Sequence, residues 1–301
     1  MPAMEAFVRA QNSLAGLSVG DAFGETFFAR RDQVLEMVRA NRPAPAPWRW
    51  TDDTAMAISI VEELGIRRSI DGDRLARRFA ARHAFEPLRG YGAGAHELLS
   101  RIAQGESWRA ASRSLFRGSG SFGNGAAMRA APIGAYFATD LDEVVTQAGR
   151  SAEVTHAHPE GIAGAVAVAV AAAEAWRTRG DDWDRDAFFR AVSLRTPSGY
   201  TRDGIEQAAA LPPETTVVEA AVALGNGSAV SSPDTVPFAL WCVAEDPDSY
   251  EDTLWLTAMG LGDVDTTCAI VGGITVLRTG IEGIPASWLE AREPIPELDL
   301  A

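Results

Sequence analysis

The chain has 301 residues and a formal net charge of −14; 47% of its residues are hydrophobic and 23% are charged. This balance is typical of a soluble globular protein, and the negative charge argues against sequence-independent binding to nucleic acid, which needs Lys and Arg to neutralise phosphates. No basic segment followed by an apolar run opens the chain, so we expect no signal peptide. The two cysteines indicate no disulfide framework, and we expect a cytoplasmic protein.

Apolar residues recur at helical spacing along most of the chain, and strict two-residue alternation is scarce. The predicted helices are 4–20, 33–40, 51–65, 71–85, 95–102, 107–116, 128–137, 140–155, 159–176, 184–192, 201–211, 217–224, 233–244, 250–261 and 269–277. We therefore predict an all-α fold in which residues 1–301 form a single compact domain. The Ala-rich helix 159–176 is expected to be a buried central helix, because it is too short and small for a membrane span. Residues 282–301, which contain three prolines, are predicted to be a loosely wrapped tail.

Two short acidic segments, residues 51–54 and 262–267, each run directly into an apolar helical pattern. Either one alone is most simply a helix cap, since Asp and Thr oxygens accept hydrogen bonds from unpaired backbone N–H groups. A cap needs one acceptor, however, and each segment carries two acids as well as Thr. We predict that the two helix starts face each other and hold divalent metal between four carboxylates. Oxygen ligands favour Mg²⁺, Mn²⁺ or Ca²⁺ over zinc.

Two glycine-rich loops, residues 90–94 and 118–125, precede predicted helices. Helix N-termini that follow glycines bind phosphate through backbone N–H groups. Neither loop is a nucleotide-binding fingerprint, because neither follows a predicted strand, and each alone is more simply a turn. Asn124 either directs its amide towards a ligand or caps the next helix.

His156 and His158 lie two residues apart, so they share no helix face and are not interpreted as a zinc pair. Each is either a capping or core residue or a ligand contact.

These segments, in this order, resemble the ADP-ribosylglycohydrolase family, which includes dinitrogenase-reductase-activating glycohydrolases and ADP-ribosylhydrolases. The similarity covers most of the chain: the family's Thr-Asp-Asp motif is similar to residues 51–53, and its Asp-x-Asp-Thr motif is similar to residues 263–266. The resemblance implies an all-α orthogonal multi-helix bundle with its active site on inter-helix loops and two Mg²⁺, or Mn²⁺, in that site. The metal ligands it implies are Thr51, Asp52, Asp53, Asp263, Asp265 and Thr266.

Residues 89–94 and 121–129 are most similar to the branch that removes ADP-ribose from serine and trims poly(ADP-ribose). In that branch such loops and a His contact the ADP-ribose. The substrate-binding residues implied here are Gly92, Gly94, Ser121, Phe122, Gly123, Asn124, Gly125 and His156. The implied activity is hydrolysis of the glycosidic bond at the anomeric carbon of ADP-ribose, on a modified protein or small ADP-ribosylated substrate, and we expect a monomer.

One position departs from that branch, in which a Glu shortly after Gly-Asp-x-x-Gly serves the catalytic step. At the matching spacing this chain has Phe28, and the nearby acid is Glu25. We assign Glu25 provisionally to the catalytic step, together with Asp53 and Asp263. The missing Glu leaves a non-hydrolytic ADP-ribose binding protein as an alternative. A two-metal phosphohydrolase is a second alternative, because oxygen-ligand centres also bind phosphates.

Overall fold

Helices form almost all of the regular structure of this chain. A computed structural model describes residues 2–29 and 31–300, and among these it contains sixteen α-helices, two isolated bridges and no β-strand. The helices are α1 Pro2–Glu25, α2 Arg31–Ala40, α3 Asp52–Arg67, α4 Gly72–Phe85, α5 Ala93–Ala103, α6 Trp108–Gly118, α7 Ala131–Tyr136, α8 Leu141–Glu153, α9 Pro159–Arg177, α10 Arg185–Arg195, α11 Tyr200–Ala210, α12 Val217–Leu224, α13 Ser232–Glu245, α14 Tyr250–Met259, α15 Val264–Thr279 and α16 Ala286–Ala291. Short 3₁₀ turns cover Thr26–Phe28, Asn124–Ala126 and Ile281–Gly283. The predicted all-α fold is confirmed.

Helices α1 and α15 pack against each other with their backbones almost in contact. Three glycines on one face of α1 meet α15, where Cβ atoms added to them would lie 2.4, 2.1 and 2.4 Å from carbonyl oxygens. These glycines are Gly16, Gly20 and Gly24, and the α15 carbonyls belong to Gly272, Cys268 and Val264 in that order. The reversed order shows that the helices run antiparallel. This contact explains why α1 continues to Glu25, although the sequence predicted an end near residue 20: tertiary packing outweighs the low helix propensity of glycine.

Helix α9 is apolar on all sides because other helices surround it. Its alanines and valines from residue 163 to residue 173 are at most 1% exposed, and it packs against α7, α8, α10, α13 and α15. The predicted buried central helix is therefore confirmed. Within the described residues, no helix combines the length and apolar character needed to cross a membrane.

The C-terminal segment is packed more tightly than the predicted loose tail at residues 282–301. Trp288 in α16 is 3% exposed, and its ring stacks on Phe23 at a centroid distance of 4.5 Å. The backbone N–H of Glu293 donates to the Trp48 carbonyl oxygen at 2.8 Å. The prediction was wrong for this part of the segment, because aromatic packing with residues distant in sequence outweighs the helix-breaking effect of its prolines.

Replacing Gly20 with alanine tests the close contact between α1 and α15. The new methyl group would lie 2.1 Å from the Cys268 carbonyl oxygen, and overpacking of this kind costs about 1–3 kcal/mol or more. We expect a clear loss in the free energy of unfolding measured by urea denaturation.

Gly149→Ala in α8 is the matched control, because a Cβ there meets only an Ile162 methyl group at 4.0 Å. We expect no loss of stability and a gain of up to about 1 kcal/mol from helix propensity. Gly20→Ala protein as stable as the wild type would contradict the observed packing.

Candidate metal centre

The N-terminal ends of α3 and α15 meet beside the end of α1, and acidic residues converge there. Carboxylate oxygens of Asp21, Asp53 and Asp265, one from each residue, all lie within 4.8 Å of one another. Asp52 and Asp263 are close enough to this group to raise the pKa of Asp53. The structure thus brings together the two acidic segments that the sequence predicted to face each other.

Asp21 was not among the predicted site residues, yet it organises the start of α3. Its carboxylate accepts hydrogen bonds from the backbone N–H groups of Thr51 and Thr54, with N···O distances of 2.9 and 3.1 Å. A carboxylate from another helix therefore satisfies N–H groups at the start of α3, which leaves Asp52 and Asp53 free for another role. The signal in the sequence was the Gly-Asp-x-x-Gly pattern near the predicted end of the first helix.

Burial raises the pKa of every carboxyl group in this cluster, and repulsion from neighbouring aspartates raises it further at Asp52, Asp53 and Asp265. Burial is the larger cause in each case; it raises the pKa of Asp21 to about 6, and with repulsion from Asp21 and Asp263 it raises that of Asp52 to about 7. The pKa values of Asp53 and Asp265 rise well above their usual range, again through burial and then through neighbouring aspartates. A nearby cation would favour the ionised forms and relieve this repulsion.

Asp53 has two features that fit a cation ligand. Its Oδ1 atom is buried without a hydrogen-bond partner, although buried polar atoms normally have one. Its Oδ2 atom lies 3.0 Å from the Thr51 hydroxyl oxygen, but that hydroxyl lies 2.9 Å from Asp21 as well and has one proton to donate. The cluster therefore has more acceptors than donors, as expected for a site that binds a cation through oxygen atoms.

Asn124 connects the second glycine-rich loop to the acidic cluster. Its amide group donates to Asp263 Oδ2 at 2.6 Å and to the Thr235 hydroxyl at 3.0 Å. Asp263 directly precedes α15 but makes no side-chain capping hydrogen bond there, so capping does not account for it. The neighbouring Asp265 carboxylate accepts from the Thr266 N–H at 2.8 Å. The Asn124 side chain caps no helix among the described residues and bonds to Asp263 and Thr235 instead, so its contact with a ligand stays a prediction.

The first glycine-rich loop lies against Asp52. Gly90 has a φ of +93°, and a Cβ on it would lie 3.3 Å from Asp52 Oδ1, so glycine is favoured there for both reasons. Arg89 anchors the loop by donating to the Trp50 carbonyl oxygen at 3.1 Å. Gly92 lies directly before α5 and faces open space.

Phe116 borders this loop and was missed by the sequence analysis. It is 57% exposed and has a φ of +50°, and its ring lies 3.5 Å from the Cβ position of Gly94. Positive φ at a residue other than glycine costs energy and is concentrated at functional sites. The apolar pattern gave no signal, because it predicted that Phe116 ends a regular helix.

The second glycine-rich loop packs around His156. Cβ atoms on Gly123 and Gly125 would lie 3.3 and 3.1 Å from His156 Nε2. The Ser121 hydroxyl accepts from the Gly123 N–H at 3.2 Å, while the Phe122 ring is 47% exposed. The loop thus places peptide groups around the His156 imidazole and carries one half-exposed aromatic ring.

His158 has a different environment. Its Nδ1 atom accepts from the Glu160 N–H at 3.1 Å and caps α9, and its ring lies 5.4 Å from that of Phe122. The two histidines therefore differ. His158 caps a helix, whereas His156 lies at the second glycine-rich loop.

Glu25 follows directly after the residue of α1 that touches the Asp265 backbone. It is the last residue of α1 and is half-buried, next to Gly24, whose Cβ position is 2.6 Å from the Asp265 Cα. Burial raises the pKa of the Glu25 carboxyl, and Arg49 opposes this. Phe28 is 56% exposed in the turn that follows.

The fold and the site define an all-helical protein with a buried carboxylate cluster between two glycine-rich loops. The sequence profile of the ADP-ribosylglycohydrolase family matches residues 3–300. The chain therefore belongs to the ADP-ribosylglycohydrolase family and is a glycohydrolase, as the resemblance implied.

Similar proteins align with nearly the full length of this chain. The human ADP-ribosylhydrolase ARH3 is 27% identical, over 97% of this chain and 91% of the relative. An uncharacterized protein of Archaeoglobus fulgidus is 31% identical, over 96% and 93%, and the ADP-ribosylarginine hydrolase Tri1 of Serratia proteamaculans is 24% identical, over 96% and 76%. A solved ADP-ribosylglycohydrolase-related protein complex shares the fold, with a TM-score of 0.68 and 24% identity over 96% of this chain and 94% of that one.

The stability of the metal-free protein should fall as the pH rises. The pKa values of Asp21 and Asp52, about 6 and about 7 in the folded protein, exceed the unfolded value of about 4. Their stabilising contribution is complete below the unfolded pKa and is lost as the pH rises through the folded values. In excess chelator we expect the melting temperature to drop by several degrees between about pH 5 and about pH 8.

Asp53→Asn is the matched test, because it removes one charge with little change in volume. In chelator it should raise the melting temperature at about pH 8, and it should reduce the further rise that Mg²⁺ gives the wild type. Asp142→Asn, at an exposed residue of α8, should change neither quantity. A melting temperature that increases with pH in chelator would contradict repulsion among these carboxylates.

Proposed function

We propose that this protein is a metal-dependent hydrolase that cleaves the glycosidic bond at the anomeric carbon of ADP-ribose and so removes ADP-ribose from a modified protein or a small substrate. The observation that carries this proposal is the meeting of both acidic segments and both glycine-rich loops at one place. Family membership and the names of the human and Serratia relatives support it. The continuous hydrophobic core from Ala6 to Ala291 supports one domain across residues 1–301.

The residues proposed to hold two Mg²⁺, with Mn²⁺ as the alternative, surround the buried carboxylate cluster. They are Thr51, Asp52, Asp53, Asp263, Asp265 and Thr266, and the structure adds Asp21. The unpartnered Oδ1 of Asp53 and the excess of acceptors support this assignment. Bound divalent cations would supply positive charge that orients ribose hydroxyl groups and a water molecule.

The two loops have the features needed to bind the rest of ADP-ribose. Gly92 and Gly94 lie at the N-terminal end of α5, where backbone N–H groups and the helix dipole favour phosphate. Ser121, Gly123 and Gly125 bring further peptide groups to His156. The half-exposed Phe122 ring, packed on His158, provides an apolar surface of the kind an adenine ring needs.

Glu25 is proposed to act near the anomeric carbon. Departure of the leaving group gives that carbon oxocarbenium character, which a carboxylate stabilises, and the same carboxylate accepts a proton from water. Burial raises the pKa of Glu25, which brings it closer to the range where proton transfer at neutral pH is efficient. Phe28 has no group that could do this.

Removing a cluster carboxylate should abolish turnover. We expect Asp53→Asn and Asp263→Ala to lower kcat/KM for ADP-ribosylated substrates by at least roughly 100-fold, since even groups that only support a metal ligand cost 10- to 100-fold. The measurement is release of ADP-ribose from ADP-ribosylated serine and arginine peptides at saturating Mg²⁺, with Asp142→Asn as the control. Full turnover by the wild type in excess chelator would refute the metal assignment.

Glu25→Gln separates catalysis from metal binding. We expect kcat to fall by about 100-fold or more, the usual contribution of a general acid or base, with the Mg²⁺-induced rise in melting temperature unchanged. Phe28→Leu is the control for changes at the turn and should leave kcat within about twofold, because it removes no ionisable group. A Glu25→Gln variant with wild-type kcat would remove Glu25 from the mechanism.

The non-hydrolytic ADP-ribose binding protein that Phe28 left open is disfavoured by membership of a glycohydrolase family, and it is tested directly. Calorimetry with ADP-ribose followed by turnover assays distinguishes the two, because a binder would show affinity without product. Mass spectrometry of the products tests for phosphohydrolase activity, since intact ADP-ribose is released only by glycosidic cleavage. We still expect a cytoplasmic monomer that has no sequence-independent binding to nucleic acid. These expectations stay predictions.

A further inference from the structure

Arg129 is a fully buried cation between the second glycine-rich loop and the end of α8. Its guanidinium donates to the Gly125 carbonyl oxygen at 2.9 Å, to the Ser151 carbonyl oxygen at 3.2 Å and to the Thr155 hydroxyl at 2.8 Å. It also lies 4.5 Å from the centroid of the Phe79 ring. These hydrogen-bond partners are neutral groups, so the hydrogen bonds fix positions, while the charge of Arg129 also lowers the pKa of Asp52 from a distance.

The Thr155 hydroxyl links Arg129 to His156 through hydrogen bonds. A guanidinium only donates hydrogen bonds, so the Thr155 oxygen is the acceptor from Arg129. The same oxygen lies 2.7 Å from His156 Nδ1. If Nδ1 carried the imidazole proton, the buried Thr155 hydroxyl proton would have no acceptor among the described residues, at the cost of an unmade hydrogen bond. Thr155 therefore donates to Nδ1, and the proton of the neutral ring is on Nε2.

His156 Nε2 faces the inside of the second glycine-rich loop. It lies 3.3 and 3.1 Å from the Cβ positions of Gly123 and Gly125, and within the described chain it has no hydrogen-bond partner. Burial and then the charge of Arg129 lower the pKa of His156 to about 3, which keeps the imidazole neutral. The second glycine-rich loop thus surrounds one imidazole N–H donor, at His156 Nε2, whose direction is defined.

We propose that Arg129 and Thr155 are positioning residues that hold His156 in its Nε2–H tautomer, so that this N–H donates to an acceptor oxygen of ADP-ribose in the second glycine-rich loop. The inference rests on the proposed function. In the other tautomer, Nε2 would present a lone pair to the oxygen, and the contact would be repulsive. Arg129 and Thr155 thereby affect ligand binding without touching the ligand.

Thr155→Val removes the hydroxyl and keeps the shape of the side chain, while Thr155→Ser keeps the hydroxyl. The tautomer of His156 is read from the ring nitrogen chemical shifts of ¹⁵N-labelled, ligand-free protein, assigned with a His156→Gln variant. We expect Nε2–H in the wild type and in Thr155→Ser, and a mixture of tautomers in Thr155→Val. Calorimetry should show that Thr155→Val binds ADP-ribose about tenfold more weakly, as for loss of one hydrogen bond, and that Thr155→Ser binds within about twofold of wild type.

Thr146→Val is the matched control: it makes the same exchange at an α8 residue whose hydroxyl bonds only the Asp142 carbonyl oxygen. It should leave tautomer and affinity unchanged. An Nδ1–H tautomer in the wild type overturns the proposal without any variant, so the test does not depend on Thr155→Val folding. Thr155→Val with weakened binding and an unchanged tautomer also overturns it, because the effect would then be one of packing. If the wild type binds no ADP-ribose, the proposed function and the donor role fail, while the ligand-free tautomer still decides what Arg129 and Thr155 do.

Discussion

The antiparallel contact between α1 and α15 is the constraint on which the site depends. Gly16, Gly20 and Gly24 allow the two backbones to approach closely, and Asp21, the residue after Gly20, is held near the start of α15 as a result. A side chain at any of these glycines would push the helices apart and separate Asp21 from Asp265. Packing at this contact therefore sets the distances between charges as well as the shape of the core, because close-packed interiors transmit small displacements.

The contact between α1 and α15 brings several aspartate side chains close together. Asp21 satisfies backbone N–H groups of α3, so Asp52 and Asp53 are released from capping and face Asp263 and Asp265 instead. The raised pKa values mean that ionising these groups together is unfavourable unless a cation lies nearby. The surrounding helices hold the carboxylates in place, so the cluster is an arrangement that a bound cation would stabilise.

Polar side chains, rather than apolar packing, connect the two glycine-rich loops to the cluster. Asn124 bonds Asp263 from the second loop, and Arg89 bonds the Trp50 carbonyl oxygen just before the first acidic segment. Hydrogen bonds are directional, so they fix the orientation of the loops relative to the carboxylates. A ligand held in the loops as proposed would be oriented towards the acids by the same contacts, and positioning of this kind contributes to catalysis.

The sequence by itself determined most of the helices, the two acidic helix starts and the glycine-rich loops. These features depend on residues a few positions apart, and apolar spacing and backbone preferences report on that range. Only the tertiary structure decided that Asp21 joins the cluster, that Trp288 is buried and that His156 and His158 have different roles. Each of these depends on the distance between segments far apart in the chain. That distance is set by which backbones pack together, and the local pattern of residues does not determine it.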